Sequence, residues 1–299
     1  MTPQQFGRYK VVGSLGMGAM GCVYEGFDPH IERRVAIKTI RLEQLTPDME
    51  AEFEARFRSE VRAAGRLHHP NIVALHDAGR DQGVAYTVME LVEGQDLKRH
   101  LDGGAVYSID AALRLAQQLL SALAAAHAQG VIHRDVKPAN VMLTASGQVK
   151  LTDFGVARVL DSGDATRTRG MIVGTVKYAS PEQLSGLPLD GRSDLFSVGV
   201  LLYRLLARHH PFDGPNELAI MQKVLTENPP PPSASNPSVS AGLDAVVLKA
   251  LAKTPDARHK SAAEFSGELQ LFLTGTPHVE PRTQPGTSTS SSWTPTRAM

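Results

Sequence analysis

Residues 16–23 read Gly-Met-Gly-Ala-Met-Gly-Cys-Val, a Gly-x-Gly-x-x-Gly-x-Val pattern whose flanks limit the folds open to this chain. Glycines let backbone amides approach phosphate groups closely. The same spacing occurs where a strand turns into a helix in dinucleotide-binding domains, so the pattern alone does not discriminate. After Gly21 the chain runs Cys-Val-Tyr-Glu-Gly-Phe-Asp, which alternates and carries β-branched and aromatic side chains. That is strand chemistry. Residues 9–15 also read as a strand, so the expectation is a hairpin with the glycines at its tip. No Gly-Lys-Ser/Thr follows, which leaves a Walker-type loop unsupported.

A third strand contains Val35-Ala36-Ile37-Lys38. Lys38 is flanked by apolar residues and is expected to point into a cleft, where an ammonium needs anions. Nucleotide phosphates supply them, and so does a carboxylate. Pro47 to Leu67 has Phe53, Phe57, Val61 and Ala64 at helical spacing, an amphipathic helix. Glu60 lies within it. Alone it reads as a surface charge; beside the other motifs it is expected to pair with Lys38.

The stretch His133-Arg134-Asp135-Val136-Lys137-Pro138-Ala139-Asn140, followed by Asp153-Phe154-Gly155, carries the chemistry. Phosphoryl transfer needs positioning, charge neutralisation and an acceptor for the nucleophile's proton. Asp135 suits the last role. Lys137 can offset charge on the phosphate in transfer. Asn140 and Asp153 offer one neutral and one anionic oxygen, hard donors of the kind Mg²⁺ takes while bridging substrate phosphates. His133 follows apolar Val131 and Ile132 and reads as a packed structural residue. An isolated His-Arg-Asp reads more readily as a buried turn; the register of Asp135, Lys137, Asn140 and Asp153 argues against that.

A length of 299 residues suits two lobes better than one core. Lys+Arg and Asp+Glu both number 31, which gives no reason to propose a nucleic acid or membrane-surface partner. One cysteine, Cys22, excludes an intramolecular disulfide and fits a reducing, cytoplasmic location. No apolar run approaches the length of a membrane span. Ile109 to Gln129 reads as a long helix capped by Gly130. Residues 194–207 are apolar on nearly every side, the mark of a helix buried all round. Pro229 to Pro232 reads as a rigid connector, and the adjacent pairs His68-His69 and His209-His210 as structural or exposed. From Gly275 onward Pro, Ser and Thr dominate, so residues 275–299 are expected to be a disordered tail.

These motifs, in this order, resemble the eukaryotic-type (Hanks-type) serine/threonine protein kinases, which carry the same set. The resemblance covers 9–273 and implies a bilobal α+β fold. A β-rich N-lobe with one main helix would occupy about 9–91, and a larger, mostly helical C-lobe about 92–273. It implies ATP under Gly16, Gly18, Gly21 and Val23, with Ala36, Met89, Glu90, Val92 and Met142 around the base. Met89 would be the gatekeeper and Glu90 to Val92 the hinge. Lys38 would hold the α/β-phosphates with Glu60 as its partner. Asp135 would be the catalytic base, and Asn140 and Asp153 the ligands of Mg²⁺, with Mn²⁺ as an alternative. Lys137, and Thr175 within Gly174-Thr175-Val176-Lys177-Tyr178, are similar to serine/threonine kinases. Ser180-Pro181-Glu182 stands where Ala-Pro-Glu is usual. Asp194, Ser197 and Gly199 resemble the start of the buried central helix, and Arg258 the usual partner of Glu182. The segments Gly-Ala-Met-Gly, His-Pro-Asn-Ile-Val and Ala-Ser-Pro-Glu-Gln look most like bacterial members.

The resemblance also implies protein substrates and a regulatory loop containing Ser162, Thr166 and Thr168. A phosphate there would be received by Arg134 and Arg158. Autophosphorylation is expected at Thr166 or Thr168, with self-association as one route to it. A catalytically dead scaffold would lack Lys38, Asp135 or Asp153, and all three are present. A small-molecule kinase would not need the Gly174–Glu182 segment.

Overall fold

The computed structural model describes residues 3–18, 21–40, 47–154 and 176–273. The expected hairpin forms. Strands β1 (Gln5–Phe6), β2 (Tyr9–Gly18), β3 (Gly21–Asp28), β4 (Arg33–Ile40), β5 (Leu75–Asp81) and β6 (Val84–Glu90) make one antiparallel sheet in the order β1-β2-β3-β4-β6-β5. β4 is buried from Val35 to Ile40: Val35 and Ile37 pack with Phe6, Tyr9, Tyr86 and Val88, and Ile40 at its far end meets helix α1 (Pro47–Ala64). Phe53 and Phe57 of α1 stack at 5.8 Å and join Ile40 and Ala85 in a small core of their own. The helix stops three residues short of the expected Leu67, at the turn where the Gly65 N–H returns to Val61 O at 2.8 Å.

Beyond β6 the chain becomes mostly helical, so the molecule is a bilobal α+β fold. A short sheet, β7 (Gly94–Asp96), β8 (Val141–Thr144) and β9 (Val149–Leu151), lies at the junction. Helix α2 (Leu97–Asp102) leads to α3 (Ile109–His127), which Ser108 caps by accepting from Ala111 N–H. α3 ends two residues before the expected Gln129. Its C-cap is Ala128, and Gly130, at φ 71°, turns the chain so that the Val131 N–H reaches Ala126 O. That left-handed turn is why glycine stands there.

The short helix α4 (Pro181–Leu184) precedes α5 (Gly191–Ala207), the helix expected to be buried all round. It is. Every residue from Ser193 to Ala207 except Arg204 is buried. Its start at Gly191 is earlier than its apolar run, because Asp190 caps it by accepting from Arg192 N–H. Gly199 lets α7 (Ala241–Ala250) press close: a Cβ there would lie 2.8 Å from that of Ala250. Helices α6 (Glu217–Thr226) and α8 (Ala262–Gln270) complete the lobe. Pro229 and Pro232 of the proline run are buried against it.

The pairing of Glu182 and Arg258 closes this lobe. Both carboxylate oxygens accept from the guanidinium at 2.7 Å, and Ser193 Oγ donates to Glu182 at 2.7 Å. Arg258 also donates to the carbonyls of Ala252, Arg192 and Lys253, so its five N–H groups all have partners. Burial opposes charge on Glu182, but Arg258 and Ser193 outweigh it and hold the carboxyl below its usual range. Removing one partner strands a buried charge. Arg258→Ala is expected to lower unfolding free energy by about 3–5 kcal/mol in a denaturant titration.

His210 makes the lobe sensitive to acid. Its Nδ1 donates to Phe212 O at 3.1 Å, its ring meets Tyr178 edge-on at 5.0 Å, and its Nε2 is buried with no hydrogen-bond partner among the described residues. Burial, then the Lys177 and Arg204 cations, push its pKa down from 6.5 to about 3. The unfolded chain takes up this proton at a pH where the folded one resists it. Stability is therefore expected to fall as pH drops from 6.5 toward 3. His210→Gln should flatten that decline in thermal melts between about pH 7 and pH 5.

Candidate active site

The glycine hairpin pairs Gly16 with Val23, Met17 with Cys22 and Gly18 with Gly21. A hydroxyl clasp seats it on β4. Thr39 Oγ1 accepts from the Cys22 N–H at 3.0 Å and donates to Cys22 O at 3.1 Å. Gly21 has φ 148°, and a Cβ on it would lie 1.9 Å from Thr39 O. No side chain fits there. Register then sets the cleft: Val23 lies opposite Lys38, Ala36 opposite Met89 and Val35 opposite Glu90. Met142, half-buried on β8, pairs with Asp96 and Lys150.

Glu90, expected in the hinge, is bonded through both its backbone and its side chain. Its N–H donates to Ala74 O at 2.9 Å, and its carboxylate accepts from Lys150 Nζ at 2.7 Å. That bond ties the last strand of the N-lobe to β9. Val92, two residues on, is half-buried.

Lys38 Nζ lies 2.6 Å from Asp153 Oδ2, a pair set into the cleft. Burial opposes charge on Asp153, yet the Lys38 ammonium, with help from Lys137, holds its carboxyl below the usual range. Glu60, the partner expected from the sequence, lines a cavity behind this pair together with Thr87, Met89, Asp153 and Phe154.

The 133–140 stretch takes its shape from Asp194, in the first turn of α5. Asp194 Oδ2 accepts from the His133 N–H at 2.9 Å and from His127 Nε2 at 2.7 Å, and Oδ1 accepts from the Arg134 N–H at 2.8 Å. Arg134 has φ 70°, a left-handed conformation that costs a bulky residue on the order of 1–3 kcal/mol. Charge-assisted bonds to a buried carboxylate offset it.

His133 is structural, as its apolar neighbours suggested. Its Nδ1 accepts from the Asp135 N–H at 3.2 Å, so Nε2 carries the proton donated to Thr152 O at 2.8 Å. The ring packs edge-on against Phe154 at 4.6 Å. The Thr152 N–H donates to Asn140 O at 3.0 Å. Thr152 is therefore held at both ends by the 133–140 stretch, which sets Asp153 beside it. Asp153 itself has φ 70°.

Asp135 Oδ2 lies 2.8 Å from Lys137 Nζ and accepts from Asn140 Nδ2 at 3.0 Å. Asn140 Nδ2 also donates to Asp135 O at 2.8 Å, which leaves the amide oxygen as its acceptor for another partner. One carboxylate, one ammonium and one amide thus stand together, with a second carboxylate and ammonium across the cleft. Sequence reasoning missed His127, Thr39, Lys150 and Thr152, whose contributions are hydrogen bonds to remote backbone or paired charges. Thr175, Ser162, Thr166, Thr168, Arg158 and the 275–299 tail lie outside the described residues.

The described lobes and the charged side chains gathered between them are those of a known family. The family model described as "Protein kinase domain" matches residues 9–272, and the chain belongs to that family. A probable serine/threonine-protein kinase of Streptomyces coelicolor is 43% identical over 276 residues, covering 91% of this chain and 41% of the relative. Serine/threonine-protein kinase PknB of Mycobacterium tuberculosis is 40% identical over 280 residues, covering 92% and 44%. Serine/threonine-protein kinase PrkC of Bacillus subtilis is 37% identical over 264 residues, covering 88% and 40%. The chain thus spans about two fifths of the length of the curated relatives it matches. Among the described residues no helix is long and apolar enough to cross a membrane.

Gly21→Ala is expected to weaken nucleotide binding by at least about tenfold in a fluorescence titration, because the hairpin must lift from Thr39 to admit the methyl. The melting temperature of the helical lobe should stay unchanged.

Proposed function

We propose that the chain is an ATP-dependent serine/threonine protein kinase that moves the γ-phosphoryl group of ATP to hydroxyls of protein substrates. The observation that carries this reading is the joining of the two motifs through Thr152. It brings Asp135, Lys137 and Asn140 to the same cleft as the Lys38–Asp153 pair.

In this reading Gly16, Gly18, Gly21 and Val23 cover the phosphates, and Ala36, Met89, Glu90, Val92 and Met142 surround the base. Lys38, supported by Glu60, neutralises the α/β-phosphates. Asp135 accepts a hydrogen bond from the substrate hydroxyl, turns its oxygen toward the phosphorus and takes the proton as the new bond forms. Lys137, 2.8 Å from Asp135, offsets charge on the phosphoryl in transit.

The donor set fits Mg²⁺. Asp153 offers an anionic oxygen, and Asn140 an amide oxygen left over by its Nδ2 bonds. When bound, the ion neutralises phosphate charge; Mn²⁺ is an alternative. Thr175 would favour serine and threonine acceptors. Thr166, Thr168 or Ser162 would accept phosphate in autophosphorylation, with two copies meeting to do it. Location in the cytoplasm is supported by the single cysteine.

The test is transfer of label from γ-labelled ATP to a generic basic protein and to the enzyme itself. Lys38→Met and Asp135→Asn should each lower transfer by at least about a hundredfold while the protein stays folded. Undiminished label in both variants would contradict the assigned chemistry.

A further inference from the structure

Gln183 occupies the last turn of α4, two residues after Pro181, and nothing in its type suggests a catalytic connection. Its amide has two jobs. Oε1 accepts from the Ser180 N–H at 3.0 Å, completing a capping box in which Ser180 Oγ accepts from the Gln183 N–H. Nε2 donates to Arg134 O at 2.7 Å, 49 residues away in sequence. The partners fix the orientation of the amide. Turned over, its NH₂ would face the Ser180 N–H and its oxygen would face the Arg134 carbonyl, and both contacts would repel.

Arg134 O belongs to the peptide that enters Asp135. The N–H of that same peptide donates to His133 Nδ1 at 3.2 Å. Gln183 holds one side of this peptide plane and His133 the other. The Arg134 N–H is held separately by Asp194 at 2.8 Å. A left-handed, non-glycine residue at φ 70° is thus pinned at its N–H and at its C=O. Loss of the carbonyl tether frees the plane to rotate, and rotation there displaces the Asp135 side chain directly.

The other end of the amide reaches the segment that ends at Ser180. Val176, Tyr178, Ala179 and Ser180 are buried, and they follow the Gly174-Thr175 pair that resembles a substrate-seating loop. The same side chain therefore touches the wall expected to seat the protein substrate and the peptide carrying the expected base.

We propose that Gln183 is a positioning residue that sets the 134–135 peptide plane, and with it Asp135, relative to the substrate-seating segment. The inference rests on the kinase reading given above. Glutamine is required for this: a glutamate caps α4 equally well, but it presents an acceptor to the Arg134 carbonyl. An asparagine is one methylene too short to span both partners.

That asymmetry supplies the experiment. In Gln183→Glu the cap survives and only the tether is lost. The expected result is a fall in kcat of about tenfold to a hundredfold, the scale of a small misplacement of a reacting group. KM for ATP and the melting temperature should stay near wild type, and amide hydrogen exchange at residues 133–136 should become faster. Gln183→Met, which loses both polar ends at similar volume, serves as a second variant should Gln183→Glu fold poorly; it should show the same faster exchange and lower kcat. Wild-type kcat in either folded variant overturns the proposal, as does a lowered kcat with unchanged exchange at 133–136. If the wild-type chain transfers no phosphoryl group to any protein, the kinase reading fails, and the exchange measurement alone then decides whether Gln183 holds the peptide.

Discussion

The carboxylate of Asp194 is the interaction on which the site depends. It is 1% exposed at the start of a helix that is itself buried on all sides. A desolvated carboxylate requires donors. It finds them in the backbone of His133 and Arg134 and in His127, and the positive end of α5 adds to its stabilisation. The arrangement works in both directions. The buried charge is satisfied by the 133–134 backbone, and the strained conformation of Arg134 is held by the charge. Because α5 is locked by packing against its neighbours, the site inherits the rigidity of the core.

The second organising contact joins the lobes. Lys38 projects from β4 of the N-terminal sheet, and Asp153 follows β9 of the helical lobe. Each is a charge in a partly dry cleft, and each needs a counter-charge. In the structure they supply one another. In the proposed kinase reading a nucleotide with its cation would offer both an alternative, phosphate for the lysine and metal for the carboxylate, so neither charge would be left uncompensated. Glu90 and Lys150 make a second link, which keeps β6 and β9 together.

Much of this was legible in the sequence because it rested on local pattern. Alternation around Gly16–Val23 marked the hairpin, and the apolar run at 194–207 marked the buried helix. The Glu182–Arg258 pair followed from the family resemblance. The boundaries drifted where capping decided them: Gly130 turns the chain after α3, yet the helix stops at His127, and α5 begins at Asp190's cap ahead of its apolar run. The tethers were not legible. Asp194, Thr152, Thr39 and Gln183 all act on backbone groups, and every residue has those. No complementary residue type stands in the sequence to betray the contact. Asp194 could be placed at the head of a helix, but its grip on residues some sixty positions earlier depends on tertiary structure.

Substitution of asparagine for Asp194 tests the account most directly. An amide keeps one acceptor but turns an NH₂ toward the second backbone N–H, so residues 133 and 134 cannot both stay bound. The expected result is a fall in kcat of at least about a hundredfold, with the dissociation constant for ATP within about threefold of wild type, since the glycine hairpin and Lys38 are untouched. A folded Asp194→Asn enzyme with wild-type kcat would contradict the claim that this carboxylate shapes the catalytic stretch.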